Sequence, residues 1–154
     1  MKKNQVIGLI TFAFAVLTVI SLFLSAGYYD ITSVRVHMTF FDRVKTIGAV
    51  GNGFSIIAGV FTIITIIVSA ALVAMGFLLL FDRTAKNVVP FYKLFMRVLG
   101  ITILVVAISS FCYYFISRGT GEVGIGIFVL AVIGVAAIVT PSILKPKKID
   151  TKKN

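Results

Sequence analysis

Four long intervals without a charged residue constrain the fold of this chain more than any other feature of its sequence. They run between Lys3 and Asp30, between Lys45 and Asp82, between Arg97 and Arg118, and between Glu122 and Lys145. A helix needs roughly 20 apolar residues to cross about 30 Å of hydrocarbon, so each interval is long enough for one crossing. Charged residues make up only 13% of the chain, about half the usual share in a soluble domain. We therefore expect an integral membrane protein and exclude a secreted enzyme or a disordered chain.

The predicted fold class is an all-α membrane protein, a four-helix transmembrane bundle with a small β-like outer loop between the first two spans. The spans are placed at 6–26, 54–81, 91–117 and 123–144, with the outer loop at 27–53, and together they form one domain over 1–144. The second span starts near 54 because Gly48, Gly51, Asn52 and Gly53 are typical of a turn. Pro90 is expected at a first helical position, and Pro141 should kink or end the last span.

The distribution of lysine and arginine predicts the orientation. Eleven of them flank the spans on the side of the two termini, and four lie on the other side. Because short cytoplasmic loops carry the excess of positive charge, both termini are expected in the cytoplasm of a multi-pass cell-membrane protein. A cleaved signal peptide, with Ser25, Ala26 and Gly27 as cleavage residues, is the alternative. The first apolar run is longer than a typical signal sequence, which favours a retained span.

Small and hydroxyl-bearing residues recur at helical spacing along every span. In lipid, helices associate through close packing of such residues and through interhelical hydrogen bonds. The predicted packing residues are Gly8, Thr11, Ala15 and Thr18 in span one, Ser55, Gly59, Thr62 and Ser69 in span two, Gly100, Ala107 and Ser110 in span three, and Ala131 and Gly134 in span four. One of these faces could instead belong to a partner subunit, and this alternative is left open.

The spans lack the residues that membrane chemistry requires. The predicted spans contain no Asp, Glu, Lys, Arg or His except Lys93 and Arg97 near the start of span three, and both can reach the cytoplasmic interface. Ion-coupled transport needs titratable groups at depth, so it is disfavoured. The chain has one cysteine, Cys112, and one histidine, His37, and no catalytic or phosphate-binding motif. We predict no enzyme activity, no metal and no cofactor.

The net charge of +10 does not point to nucleic acid, because the lysines lie just beyond the ends of the spans. The C-terminal segment 145–154 is predicted to be a disordered basic tail on the cytoplasmic side. Its lysines are expected to lie on the anionic lipid surface, where each contributes on the order of 1 kcal/mol. They are Lys145, Lys147, Lys148, Lys152 and Lys153.

The loop at 28–53 is the only long segment expected outside the membrane. Apolar and polar residues alternate over Val34–Phe40, which predicts a short strand paired with 26–31 or with 44–50. An amphipathic interfacial helix over 38–50, with Phe40, Phe41, Val44 and Ile47 facing lipid, is the competing interpretation. The loop either caps the bundle or forms an external recognition surface. The candidate interaction residues are Tyr28, Tyr29, Arg35, His37, Phe40 and Phe41.

This layout of inner termini, a long first outer loop with β character, a short second loop and a basic tail resembles the claudin-like four-span proteins in topology only. That family carries tryptophans and a cysteine pair in its loop, and this chain has neither, so no residue or function is carried over. Small bacterial four-span immunity and accessory subunits are similar in layout.

Two functional hypotheses follow from these features. The first is a non-enzymatic membrane subunit that binds lipid and another membrane or extracytoplasmic protein, or a second copy of itself. The second is an oligomeric channel or transporter subunit whose site lies between protomers and is lined by Thr11, Thr18, Thr62 and Thr65.

Overall fold

A computed structural model describes residues 3–31, 34–45, 53–116 and 121–144 of the protein. Its elements, in chain order, are α1 (Lys3–Ser21), β1 (Ser25–Ile31), β2 (Val34–Thr39), α2 (Phe40–Lys45), α3 (Gly53–Leu79), α4 (Asp82–Ile116), β3 (Gly121–Val123) and α5 (Ile125–Ile143). Four long apolar helices pack together beside a small three-stranded antiparallel sheet. The predicted fold class is confirmed.

Four helical stretches are long and apolar enough to cross a bilayer. They are Asn4–Ser21, Gly53–Leu79, Val88–Ile116 and Ile125–Ile143. A bilayer-spanning helix needs about 20 apolar residues, and each stretch is close to that length or longer. The chain is a multi-pass membrane protein with four spans.

The long helices pack in the order in which they occur in the chain. Helix α1 packs on α3, α3 on α4 and α4 on α5, whereas α1 and α5 touch only slightly. All three strands lie at one end of the bundle, which we call the sheet end. Asn4 and Leu144 both lie at the opposite end, which we call the tail end, because the chain crosses the bundle four times.

Two pairs of glycines allow the closest approaches between helices. A methyl group on Gly8 of α1 would lie 2.7 Å from the carbonyl oxygen of Gly76 on α3. A methyl group on Gly100 of α4 would lie 2.7 Å from the carbonyl oxygen of Gly134 on α5. Both distances are shorter than van der Waals contact, so the helix backbones touch at these points as small residues in membrane helices permit.

Helix α4 is longer than the predicted span, because it starts at Asp82 and includes Pro90. The prediction that Pro90 occupies the first helical position is therefore wrong. A proline inside a helix leaves the carbonyl four residues earlier without its amide partner. This carbonyl precedes the apolar stretch that begins at Val88, where water can replace the missing donor. Pro141 lies in the last turn of α5, which ends at Ile143.

The segment after the first span contains both of the structures that the sequence left as alternatives. Strand β1 pairs with β2, as the hairpin prediction required, and β2 leads directly into the six-residue helix α2. The alternative strand at 44–50 and the interfacial helix predicted over 38–50 both extend beyond the described residues. The tail at 145–154 also lies outside them.

Candidate functional site

The sheet and helix α2 form the only candidate surface for recognition that the described residues build from non-membrane segments. We call this unit the cap, and it comprises Ser25–Ile31, Val34–Lys45 and Gly121–Val123. The strand order is β2-β1-β3. Tyr28 of β1 lies opposite His37 of β2 and opposite Glu122 of β3. The sheet thus joins the first and last helical hairpins of the protein.

Glycines seat the cap directly on the bundle. Gly27 of β1 lies so close to the ring of Tyr114 on α4 that a side chain there would overlap the ring. A methyl group on Gly126 would lie 2.5 Å from the carbonyl oxygen of Ser25. The amide of Gly124 donates a hydrogen bond of 3.0 Å to the carbonyl of Ala26. These contacts hold β1 against both α4 and the start of α5.

Helix α2 is fixed at its first turn by a capping box, in which a side chain at the third helical position accepts a hydrogen bond from the N-cap amide. The amide and hydroxyl of Thr39 donate to Oδ2 of Asp42 at 2.8 and 2.9 Å. The Thr39 amide, together with the Thr39 hydroxyl and nearby Lys45, lowers the pKa of Asp42 although burial opposes the shift. The carboxylate is thus held in its charged form.

Phe40 differs from its expected position. It was expected to face lipid or a partner, but it is fully buried in the core with 0% of its surface exposed. The capping box at Thr39 turns the chain so that the first side chain of α2 points into the bundle near Gly126. Phe41 stays half-buried, and its ring centroid lies 4.5 Å from that of Phe23.

One face of the sheet carries a connected group of polar and aromatic side chains. Arg35 of β2 forms an ion pair with Glu122 of β3 across the intervening strand. Its guanidinium lies over the Tyr28 ring, 4.6 Å from the centroid, a distance that suits a cation–π interaction. The His37 ring meets Tyr28 edge-on at 5.5 Å. Four side chains from three strands are therefore prearranged on an accessible surface.

Strand β2 forms one edge of this sheet. Among the described residues, no strand pairs with its outer side. Arg35, Val36 and His37 are all exposed. An edge strand of this kind presents unpaired backbone donors and acceptors, which makes it a template for pairing with another chain.

Most of the predicted packing residues are buried between the helices. The buried members are Gly8, Thr11, Ala15, Thr18, Ser55, Gly59, Thr62, Ser69, Gly100, Ala107, Ser110 and Gly134. Ala131 is half-buried and lines an apolar depression on α5 together with Val132, Val135, Ala136 and Val139. Whether any of these faces serves a partner subunit stays a prediction.

The buried threonines do not suit a path between protomers. Thr11, Thr18, Thr62 and Thr65 are at most 1% exposed. Each hydroxyl donates to the carbonyl four residues earlier in its own helix, at 2.7 to 2.8 Å. The fold buries these side chains inside one protomer, and the channel or transporter alternative stays a prediction.

Several residues that fix the cap and the tail end were not singled out by sequence reasoning. For Thr39 and Asp42 the signal was present, because a threonine followed three residues later by an acidic residue is a capping-box pattern. For Gly27, Tyr114 and Tyr92 the role depends on long-range contacts that no local pattern reveals. The side chain of Tyr29 and the tail lysines lie outside the described part of the structure.

The described residues contain no group of three or more histidine, cysteine or acidic side chains placed to hold a metal ion. Comparisons with protein-family models, with curated proteins and with solved structures find no match to this chain. The fold thus defines the class, a four-span membrane protein with a sheet cap.

Proposed function

We propose that this protein is a non-catalytic membrane subunit that binds another membrane or extracytoplasmic protein through its cap. The observation that supports the proposal most directly is the exposed edge strand β2 on a sheet that is clamped to the bundle. Function in many proteins resides on surface segments that a rigid scaffold positions. Here Gly27, Tyr114 and Phe40 supply the rigid contacts below the surface.

Strand addition is the binding mode that fits this surface. In that mode, a partner segment pairs with an exposed sheet edge, main-chain hydrogen bonds supply affinity and alternating side chains supply specificity. Arg35 and His37 lie on the same face of β2. Both interact with the ring of Tyr28 on the neighbouring strand β1. The partner would therefore meet aromatic rings and the Arg35–Glu122 ion pair beside the backbone edge. Accessory and immunity-type subunits are the classes that this arrangement favours.

A photo-crosslinking amino acid at Val36 tests the proposal in native membranes. Val36 lies in β2 and is 37% exposed, whereas Val132 lies in span-forming α5 and is 70% exposed. We expect one discrete crosslinked protein from position 36 and none from position 132. An unlinked monomer from both positions, in membranes where the protein is at its natural abundance, would contradict the proposal.

A proline at Val36 provides the second arm of this experiment. Proline cannot donate a backbone hydrogen bond and blocks strand pairing, so it should abolish co-purification of the crosslinked protein in mild detergent. Val132→Ala is the control and should leave co-purification unchanged. A proline at position 132 would disturb a span and is therefore not used. Retained co-purification by a folded Val36→Pro variant would exclude the β2 edge as the binding surface.

A further inference from the structure

Arg97 of α4 lies deeper in the membrane than its place near the start of the predicted third span suggests. Gly100, three residues later, touches α5, because a methyl group on Gly100 would lie 2.7 Å from the carbonyl oxygen of Gly134. Counted from Ile125, Gly134 is the tenth of the 19 residues of α5, so it marks the middle of that span. The rise of a helix puts the Arg97 Cα about 4.5 Å along the axis from this level.

The apolar stretch of α4 gives a similar depth for Arg97. It covers 29 residues from Val88 to Ile116, and its centre, Thr102, lies about 7.5 Å along the axis from Arg97. Half of the hydrocarbon thickness is about 15 Å. The Arg97 Cα therefore lies roughly 8–10 Å inside the tail-end boundary, a distance that an arginine side chain covers only in part. Lys93 lies one helical turn nearer the tail end, where its ammonium group can reach the headgroups.

The Arg97 side chain lies on the face of α4 that points away from the other helices. Arg97 is exposed, and so are Leu94, Ile101 and Ile108, at 58%, 54% and 61%. Steps of 3, 4 and 7 residues separate these four positions, so they lie along one stripe of the helix, which we call the outer strip. Among the described residues, Arg97 has no hydrogen-bond or ion-pair partner. A single cation thus interrupts an apolar strip at a depth where water does not solvate it.

A cation in this position needs an anionic partner at the same depth. Charged residues inside membrane spans are costly, and they pair with one another or face a water-filled cavity. A second copy of this chain cannot supply the anion, because none of its four apolar stretches contains an aspartate or a glutamate. The phosphates of lipids lie beyond the hydrocarbon boundary, several ångströms from the level of Arg97. The carboxylate of a different membrane protein is the partner that fits.

We propose that the outer strip of α4 binds a membrane-spanning helix of another protein through an ion pair between Arg97 and an aspartate or glutamate near the middle of that helix. Leu94 and Ile101, one turn to either side, pack against the apolar residues that flank this carboxylate. Alternating steps of three and four residues, as between 94, 97 and 101, are the spacing with which one helix packs along another. This contact lies within the bilayer and is independent of the binding proposed for the cap.

Photo-crosslinking of the full chain to a defined peptide tests the site. The chain carries a photo-crosslinking amino acid at Leu94, in phosphatidylcholine vesicles with a synthetic membrane-spanning leucine helix that has one glutamate at its centre. The control peptide has leucine at that position. We expect a roughly tenfold or larger yield of adduct with the glutamate peptide relative to the leucine peptide, because a buried charge without its partner is strongly disfavoured. A crosslinker at Phe128 of α5, which is 56% exposed, should give equal low yields with both peptides.

Three substitutions assign the effect to the charge at position 97. Arg97→Gln should reduce the yield with the glutamate peptide to that of the leucine peptide, whereas Arg97→Lys keeps the charge and should retain most of the adduct. Lys93→Gln removes a charge one turn away on the same helix. It should lower the yield less than about threefold, because Lys93 lies nearer the headgroups.

The comparison of the two peptides decides the proposal even without a substitution. Equal yields with the unsubstituted chain would overturn it, and so would a yield that Arg97→Gln leaves unchanged. Yields that become equal when phosphatidylglycerol replaces part of the phosphatidylcholine would also overturn it, because a lipid phosphate would then satisfy Arg97. None of these results bears on the cap, since the peptide offers no strand that could pair with β2.

Discussion

At the scale of single residues, glycines determine where the helices and the cap can meet. Gly8 and Gly76 allow contact between α1 and α3, and Gly100 and Gly134 allow contact between α4 and α5. Membrane helices gain little from burying apolar side chains away from lipid, so close packing of this kind carries much of their association. A single added methyl group at such a point therefore has a large effect.

We expect Gly8→Ala to destabilise the protein by about 1–3 kcal/mol, the usual cost of overpacking. The new methyl group would lie 2.7 Å from the Gly76 oxygen and 2.9 Å from Cβ of Leu79, so α1 and α3 must separate. Gly53→Ala is the matched control, because a methyl group there would meet no described atom of another segment within 4 Å. Thermal unfolding in detergent measures the stability of both variants. Equal unfolding midpoints for the two variants would contradict the packing described for Gly8.

Tyr92→Phe is expected to loosen the end of α5. The substitution leaves the Leu144 carbonyl without the hydroxyl that donates to it at 2.7 Å, and the loss of such a half-buried hydrogen bond costs about 0.5–1.5 kcal/mol. Hydrogen exchange should become faster over residues 140–144 and stay unchanged in α1. If exchange at the end of α5 is unaffected, the hydrogen bond does not hold that end of the helix.

At the scale of elements, local pattern predicted the spans and the hairpin but not how the cap is completed. Alternation over 34–40 was enough to predict β2, because a period of two is specific to strands. The third strand has only three residues, Gly121–Val123, which is too short to show alternation. The sequence pattern did not predict that Phe40 is buried. The direction of the Phe40 side chain depends on the Thr39–Asp42 capping box and on the space left by Gly126.

The stability of helix α2 should depend on pH through the ionisation of Asp42. The pKa of this carboxyl is lowered from 3.8 in the folded protein, so its stabilising effect is fully present above about pH 4 and is lost as the pH falls through the lower folded value. Asp42→Asn should therefore lower the unfolding free energy by about 1 kcal/mol at pH 7. The difference between the two proteins should shrink toward zero at the lowest pH at which both stay folded. A difference that is constant from pH 7 to pH 3 would contradict the charged capping box.

At the scale of the whole molecule, four crossings place Asn4 and Leu144 at one end of the bundle and the cap at the other. The sheet links β1, which follows α1, with β3, which precedes α5, although these two helices touch only slightly within the bundle. The cap therefore links, at the sheet end, two helical hairpins whose outer helices α1 and α5 make little direct contact. This explains how one unit can act both as a structural closure and, in our proposal, as a binding surface.

The orientation of this unit in the membrane is the claim on which the proposed function most depends. Impermeant thiol labelling of intact cells measures it directly, with single cysteines introduced by His37→Cys and by Asn154→Cys in a Cys112→Ser background. We expect the cysteine at position 37 to be labelled in intact cells and the one at position 154 to be labelled only after permeabilisation. The reverse pattern would place the cap in the cytoplasm, and labelling of both positions in intact cells would contradict the four-span topology itself.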